Sequence, residues 1–210
     1  MKGKFITFEG GEGSGKSSVS RYVYEKLRSK KQNVILTREP GGTFNAEKIR
    51  AILVNSSDEK LEPISELLLH YAARAEHFNQ FILPHLKKNY IVLCDRFYDS
   101  TTAYQGYGHK IDLKIINQVR KIVLGNFKPN LTFIMNIKAE DGLKRATSRL
   151  SAQASTESRY ENMNIAFHKR LEKGFLEIAK KEPKRCLLID ASRKLEVVCD
   201  EVIKIIENKI

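Results

Sequence analysis

Residues 10–17 read GGEGSGKS, a full match to the phosphate-binding pattern G-x-x-x-x-G-K-[ST]. Gly10 and Gly15 permit backbone angles and close approaches that a Cβ would block. The loop would then direct successive N–H groups at a β-phosphate, at the positive end of the following helix. Lys16 would span the β- and γ-phosphates, and the Ser17 hydroxyl would ligate Mg²⁺. The spacing therefore predicts a site for a nucleoside triphosphate and its metal.

A second metal-site residue is indicated by the run YIVLCD, which ends at Asp95 directly before Arg96. Proteins with this phosphate loop usually carry a second strand that ends in an acid near the metal. Asp95 is predicted to share the metal with Ser17; the alternative is a helix cap.

Missing motifs narrow the class of nucleotide enzyme. No Asp has Gly three positions later and NKxD does not occur, so a GTPase is not indicated. A motor or helicase would usually be longer. A small kinase remains, which must also grip a second, small acceptor. We expect the whole loop to contact ATP: Gly10, Gly11, Glu12, Gly13, Ser14, Gly15, Lys16 and Ser17.

The variable loop positions, residues 11–14, hold no basic residue, so the cation that stabilises the moving phosphoryl group should come from another segment. Residues 151–158 read SAQASTES and lie between Arg149 and Arg159. Such a segment is either a surface loop or a mobile lid. We predict a lid over about 149–160 that brings Arg149 and Arg159 to the reaction as catalytic residues.

Two further segments have the composition of a pocket wall. TREPGGT at 37–43 follows a predicted strand and places Arg38 and Glu39 at the edge where ligands of α/β folds bind. DRFYDSTTAYQGYG at 95–108 has few aliphatic residues and many polar ones. Its glutamine can pair with a base edge and its tyrosines can stack.

In combination, FEGGEGSGKS, TREPGGT, YAAR and DRFYDSTTAYQG resemble the thymidylate kinase family. The long-lid bacterial type fits best, because the phosphate loop lacks a basic residue and the lid is flanked by arginines. The resemblance runs from Lys4 through GLKRA at 142–146 to IDAS at 189–192. It implies transfer of the ATP γ-phosphoryl group to dTMP, giving dTDP and ADP with Mg²⁺, in dTTP synthesis, by a homodimer.

The resemblance also assigns residues to the phosphates and the adenine. Arg38, Arg50 and Arg96 would hold the dTMP phosphate, and Arg96 would join Lys16 in catalysis. Arg145 would lie against the adenine face. Three arginines on one dianion would give charge-assisted, partly bidentate contacts.

For the nucleoside of dTMP, the resemblance implies that Arg74 addresses the thymine carbonyl edge. Thr101 and Gln105 would hydrogen-bond the base, Tyr104 would crowd the 2′ position against ribose, and Glu12 would lie near the sugar and metal.

Two positions depart from the family pattern. His70 stands where the family often has a Phe stacked on thymine, so a neutral imidazole would supply less stacking area. The lid reads Ser158-Arg159, where the family usually has Asp before the arginine.

Alternating apolar runs and helical periods predict a doubly wound α/β domain with a five-stranded parallel sheet. We take the chain as a single kinase domain, residues 1–210. The predicted strands are 4–9, 33–38, 90–95, 131–137 and 186–190. The predicted helices are 17–29, 63–83, 111–124, 140–150, 163–180 and 195–208.

Composition sets the remaining bounds. No apolar run approaches the roughly 18 residues of a membrane helix, and the first run is too short for a secretory signal. Cys94, Cys186 and Cys199 lack metal-site spacing and are predicted to be reduced core thiols, which favours the cytoplasm. The net charge of +12 indicates a polyanionic partner.

Three alternatives stay open. The acceptor could be another monophosphate, such as dUMP or UMP. The chain could be an ATP-hydrolysing switch that reports to a protein partner. The basic charge could serve nucleic acid, although the Lys and Arg residues are spread over many segments and no nucleic-acid motif is present. We predict small-molecule partners, with no nucleic acid and no membrane.

Overall fold

The computed structural model describes residues 3–54, 61–153 and 159–210, with the backbone alone for 149–153. These residues form a parallel sheet whose five strands are β1 (Lys4–Glu9), β2 (Val34–Arg38), β3 (Ile91–Asp95), β4 (Leu131–Asn136) and β5 (Cys186–Asp190). The order across the sheet is β2-β3-β1-β4-β5. The predicted α/β class, strand number and parallel direction are confirmed, and each strand begins and ends within one residue of its predicted bounds.

Helices lie between and after the strands. In the described residues they are α1 (Lys16–Ser29), α2 (Phe44–Val54), α3 (Pro63–His77), α4 (Leu83–Lys87), α5 (Tyr98–Thr101), α6 (Leu113–Leu124), α7 (Ala139–Gln153), α8 (Ile165–Lys181) and α9 (Leu195–Lys209). Two π-helical segments, Phe78–Ile82 and Thr102–Gly108, continue α3 and α5. None of the described helices combines the length and the apolar composition needed to cross a membrane.

Burial on both faces explains why the strands read as nearly continuous apolar runs. In β1, Ile6 and Phe8 are fully buried in the core formed with α1 and α9, whereas Phe5 is buried on the opposite side with Phe78 and other residues. Both faces of the sheet are therefore covered by helices. Cys94, Cys186 and Cys199 are buried and free, which confirms their prediction as core thiols.

The strand order indicates where along the sheet a ligand can bind. β1 lies between β3 and β4, so the chain reverses its winding direction at β1, and ligands of such sheets bind at this reversal. The register pairs Phe8 with Asp95 and Arg38 with Asp95. The ends of β1, β2 and β3 are thus level, and the loops that follow them face one cleft.

The helices of the structure differ from the predictions in several places. The helix predicted over 63–83 is α3, a π turn and α4, because Pro84 has no N–H and its ring clashes with the carbonyl four residues earlier. α2 was not predicted, since its apolar residues do not form one face: Leu53 is buried while Phe44 is 77% exposed. α7 extends to Gln153, into the segment predicted as a loop or lid. Residues 154–158 of that predicted segment lie outside the described part of the chain.

Candidate active site

The phosphate loop adopts the conformation that its glycines predict. Gly10 and Gly15 have φ of +140° and +84°, and α1 begins directly after Gly15. Lys16 is only 6% exposed, and its Nζ donates to Gly11 O at 2.7 Å. Burial and the neighbouring charge of Arg96 lower the pKa of Lys16 to about 8, against the attraction of Glu12. An anion placed in the loop would therefore favour the charged form of this lysine.

Gly13 is constrained by packing as well as by its backbone angle. Its φ is +65°, and a Cβ at this position would lie 1.9 Å from Gly142 O, in the first turn of α7. The start of α7 thus rests directly on the phosphate loop. The sequence pattern counts position 13 as variable, and only the packing shows that glycine is required.

The metal-site prediction brings together side chains that are 78 residues apart. Ser17 Oγ donates to Asp95 Oδ2 at 2.5 Å, at the carboxyl edge of β3. These hard oxygen donors suit Mg²⁺, which is usually held by one or two protein ligands, phosphate oxygens and waters. Across residues 3–54, 61–153 and 159–210, no three His, Cys, Asp or Glu side chains gather as a metal cage. The donor set fits a metal that arrives with a nucleotide.

Arg96 lines the cleft and has a φ of +68°, a left-handed conformation that is uncommon outside glycine. Its Nη1 donates to Gly10 O at 3.0 Å, and its Nη2 donates to Glu12 Oε1 at 2.8 Å. Tyr104 OH also donates to Glu12 Oε1, at 2.5 Å. Burial alone would raise the pKa of Glu12, but Arg96 and Lys16 lower it to about 2. The ionised carboxylate of Glu12 thereby links the phosphate loop to Arg96 and Tyr104.

Glu9, behind the phosphate loop, fixes the backbone that carries Arg96. It is fully buried, and its carboxylate accepts from Phe97 N at 2.8 Å and Ser100 Oγ at 2.5 Å. Burial and the charge of Asp99 raise the pKa of Glu9 to about 8. Glu9 therefore holds the turn after β3 through these two hydrogen bonds, in surroundings that favour its protonated form.

Two of the arginines predicted to hold the dTMP phosphate meet at the turn after β2. Arg38 Nη1 and Arg50 Nη1 both donate to Pro40 O, at 2.9 and 3.0 Å. Arg38 Nη2 also donates to Glu47 Oε2 at 3.1 Å. The structure thus brings the guanidinium groups of β2 and α2 together at one mouth of the cleft.

Arg74 lies deeper in the cleft and is almost completely buried. Its Nε donates to Glu39 Oε2 at 2.7 Å and its Nη1 donates to Thr101 Oγ1 at 3.0 Å. Burial alone would raise the pKa of Glu39, but Arg74 and His77 lower it. Glu39, which the sequence places only at the mouth, thus fixes the orientation of Arg74.

His70 lies next to the segment that follows residue 158. Its Nε2 is 3.0 Å from Tyr160 OH, which itself donates to Glu66 Oε1 at 3.0 Å. Because the tyrosine has one proton and gives it to the carboxylate, His70 must donate from Nε2. Burial lowers the pKa of His70 to about 4, although Glu66 opposes the change. The imidazole is therefore neutral at physiological pH.

Most of the predicted site residues line a single cleft of about 500 Å³. They are Glu12, Gly13, Gly15, Lys16, Ser17, Arg38, Arg50, His70, Arg74, Asp95, Arg96, Thr101, Tyr104, Gln105 and Arg159.

Five predicted residues are placed differently. Gly10, Gly11 and Ser14 belong to the phosphate loop but do not line the cleft. Arg145 also lies apart, and its guanidinium donates to Ala191 O at 2.8 Å and to the neighbouring carbonyl of residue 192. Arg149 is in α7, but its side chain lies outside the described residues.

Sequence reasoning missed Arg21, which lines the cleft, and Glu66, which hydrogen-bonds residues that line it. Glu66 shares a face of α3 with His70 and Arg74, since these residues are four apart. That row of polar side chains at a spacing of four was the available signal. Arg21 lies one turn after Ser17 on α1 and also lines the cleft. Nothing in the sequence distinguished it from other surface arginines.

A phosphate loop at the winding reversal of a β2-β3-β1-β4-β5 parallel sheet, facing a second polar pocket, defines a P-loop nucleotide kinase. Comparison with known proteins identifies the family. The sequence model described as "Thymidylate kinase" matches residues 8–202.

Individual relatives agree over nearly the full length. The chain is 44% identical to "Thymidylate kinase" of Caulobacter vibrioides over 209 residues, covering 100% of this chain and 98% of that protein. It is 41% identical to "Thymidylate kinase" of Syntrophotalea carbinolica, covering 94% and 92%. The crystal structure of thymidylate kinase from Ehrlichia chaffeensis superposes with a TM-score of 0.78, at 39% identity over 98% of each chain. This chain belongs to the thymidylate kinase family.

Proposed function

We propose that this member of the thymidylate kinase family, which phosphorylates dTMP to dTDP with ATP, binds its two substrates in two different parts of the cleft. The observation that carries the proposal is that the cleft has two chemically different ends. The buried Lys16 and the Ser17–Asp95 pair lie at one end, and Arg74 and Gln105 lie at the other. Two nucleotides entering from opposite sides would meet with their phosphates between these ends.

At the donor end, the ATP phosphates would rest on the backbone of residues 10–17, with Lys16 between the β- and γ-phosphates. Lys16 would exchange its contact with Gly11 O for phosphate oxygens. Ser17 and Asp95 would hold Mg²⁺, which when bound neutralises charge on the transferring phosphoryl group. Arg145, anchored on the carbonyls that follow β5, would lie against adenine.

At the acceptor end, Arg38, Arg50 and Arg96 would bind the dTMP phosphate, and Thr101, Gln105 and Arg74 would bind the base. His70 would stack on the base as a neutral ring, Tyr104 would exclude a 2′-hydroxyl, and Glu12 would contact the sugar. Because the attacking group is already a phosphate dianion, the site needs to align it rather than deprotonate it.

A lid over about 149–160, as in the long-lid type, would complete the site by adding Arg149 and Arg159 to the transferring group. Closure would also exclude water and so suppress ATP hydrolysis. The position of Arg159 within the cleft supports this role.

A coupled ADP-release assay with dTMP, dUMP, UMP and CMP at matched concentration tests the proposal. We expect dTMP to be turned over fastest. ATP hydrolysis at the same rate without any monophosphate would instead favour the nucleotide-dependent switch.

We also propose that the chain forms a homodimer through α2, α3 and α6. Large apolar side chains on these helices are exposed: Phe44, Ile52, Ile64, Leu68, Ile115 and Ile122. α2 packs on α3 and α3 packs on α6, so these residues belong to neighbouring elements. An exposed apolar surface of this kind is typical of an interface. A cytoplasmic location is supported by the three buried free thiols.

A further inference from the structure

A single carboxylate, that of Glu66, collects side chains from three parts of the cleft. Glu66 is 1% exposed, and its Oε2 accepts from Arg159 Nη2 at 2.6 Å. Its Oε1 accepts from Gln105 Nε2 at 2.7 Å and from Tyr160 OH at 3.0 Å. His109 Nε2 lies 3.5 Å from the same oxygen. The carboxylate is thus surrounded by donors.

Those donors keep Glu66 ionised. Burial alone would raise the pKa of Glu66, but the hydrogen bonds from His109 and Gln105 and the nearby His70 lower it to about 2. An ionised carboxylate can only accept hydrogen bonds. Gln105 must therefore turn its NH₂ group towards Glu66, because the reversed amide would place two acceptor oxygens 2.7 Å apart.

The carbonyl oxygen of the same Gln105 amide lacks a hydrogen-bond donor. Gln105 Oε1 is buried and has no hydrogen-bond partner in the described part of the chain, although Gln105 lines the cleft. Buried acceptors without a partner are unfavourable and rare in native structures. The orphaned oxygen thus indicates a ligand that carries a hydrogen-bond donor.

Arg74 supplies a hydrogen-bond donor in the same cleft as this acceptor. Arg74, which can only donate, lies in the same cleft and is linked to Thr101 on the helix that leads to Gln105. The wall therefore presents an acceptor and a donor to a base. Thymine matches it with N3–H and the O4 carbonyl, whereas cytosine has an acceptor at N3 and an amino group at C4.

We propose that Glu66 is a positioning residue for base selection: it fixes the amide of Gln105 with Oε1 towards the base, so that the cleft accepts a pyrimidine carrying N3–H and rejects cytosine. This inference rests on the proposed assignment of Gln105 to the base. Glu66 itself touches no substrate and acts through the orientation of Gln105.

The test compares kcat/KM for dTMP with kcat/KM for dCMP in Glu66→Gln. A neutral amide at position 66 can donate as well as accept, so Gln105 can present either end to the base. We expect the dTMP/dCMP ratio to fall about tenfold, with kcat/KM for dCMP rising above that of the unmodified enzyme. Damage to folding or to Arg159 would lower both values together and leave the ratio unchanged, which would overturn the proposal.

His109→Ala is the matched control, because it removes another contact to the same Glu66 oxygen, leaves the carboxylate charged and lies outside the cleft lining. Its ratio should stay within about twofold of the unmodified enzyme. A fall as large as that in Glu66→Gln would overturn the specific role of the charge. Gln105→Ala distinguishes the proposed base contact of Gln105 from the positioning role of Glu66. If Gln105→Ala leaves the ratio unchanged, the proposed base contact fails. If it lowers the ratio while Glu66→Gln does not, only the role of Glu66 fails.

A measurement on the unmodified enzyme keeps the proposal testable if Glu66→Gln does not fold. The side-chain NH₂ of Gln105 can be followed by ¹⁵N NMR, with Gln105→Ala providing the assignment. We expect one of its protons to exchange slowly with solvent both without and with dTMP. Exchange as fast as that of exposed glutamines in the absence of dTMP would overturn the proposal.

Discussion

Arg159 Nη2 donates to Glu66 Oε2 at 2.6 Å, so the second arginine of the predicted lid is paired with a buried carboxylate of α3. Arg159 Nη1 also donates to Leu53 O at 3.2 Å, at the end of α2. These two contacts occupy the guanidinium. To act on the transferring phosphoryl group, Arg159 must exchange them for phosphate oxygens.

Replacing Arg159 by Ala should therefore reduce kcat much more than it raises KM for dTMP. A positioned cation in phosphoryl transfer accelerates turnover by up to 10³–10⁵-fold in comparable enzymes, and we expect a loss of at least about 10²-fold. Steady-state kinetics with saturating ATP measure both constants.

Arg170→Ala is a suitable control, since Arg170 is also an arginine and donates to Gly108 O, but does not line the cleft. An increase in KM with kcat preserved in Arg159→Ala would make Arg159 a binding residue rather than a catalytic one.

Replacing Lys16 by Ala should reduce kcat by about 10²–10³-fold, because it removes a preorganised donor to the transferring phosphates. The affinity for dTMP, measured by calorimetry without ATP, should change only severalfold, since Lys16 is predicted to bind ATP. Lys204→Ala, on the exposed side of α9, controls for loss of positive charge. Near-normal turnover in Lys16→Ala would refute the proposed mechanism.

The strands and much of the site were predictable because their signals are local. Continuous apolar runs determine β1 to β5, and the spacing of Gly10, Gly15 and Lys16 determines the phosphate loop. The π turn before Pro84 could not be predicted, because the spacing of apolar residues does not distinguish a π turn from an α-helix. The helix α2 could not be predicted because its apolar residues do not form one face. Glu66 and Glu39 act through long-range partners, on Gln105 and on Arg74, which no spacing in the sequence reveals.

Stability should fall as pH rises from about 6.5 to 8, through Glu9, whereas at lower pH the lowered pKa of His70 has the opposite effect. The pKa of Glu9 is about 8 in the folded protein and near the ordinary carboxyl value when unfolded, so the unfolded chain binds fewer protons across this range. One such group changes the free energy of unfolding by at most about 1.4 kcal/mol per pH unit. Glu9→Gln should flatten the dependence in this range, as measured by urea unfolding at pH 6.5, 7 and 8.

The matched control for this measurement is Glu196→Gln, an exposed residue in the first turn of α9. It should retain the slope of the unmodified protein. Equal slopes for Glu9→Gln and the unmodified protein would show that Glu9 does not gain its raised pKa on folding.

Ile122→Glu should shift the protein from dimer to monomer. Ile122 is 83% exposed on α6, and a charge there would have to be desolvated within the proposed interface. Sedimentation velocity at micromolar concentration measures the change. Val197→Glu provides the control, since Val197 is 48% exposed but lies on α9, outside the proposed surface. A monomeric unmodified protein, or dimers in both variants, would contradict the proposed interface.

The contact between Gly13 and Gly142 limits how this enzyme could be redesigned. A side chain at position 13 would have its Cβ 1.9 Å from Gly142 O, so an arginine cannot be placed at position 13 of the phosphate loop by substitution alone. The start of α7 would have to be rebuilt at the same time. At position 13, therefore, the backbone of α7 excludes any cationic side chain, and engineering of that position must begin at α7.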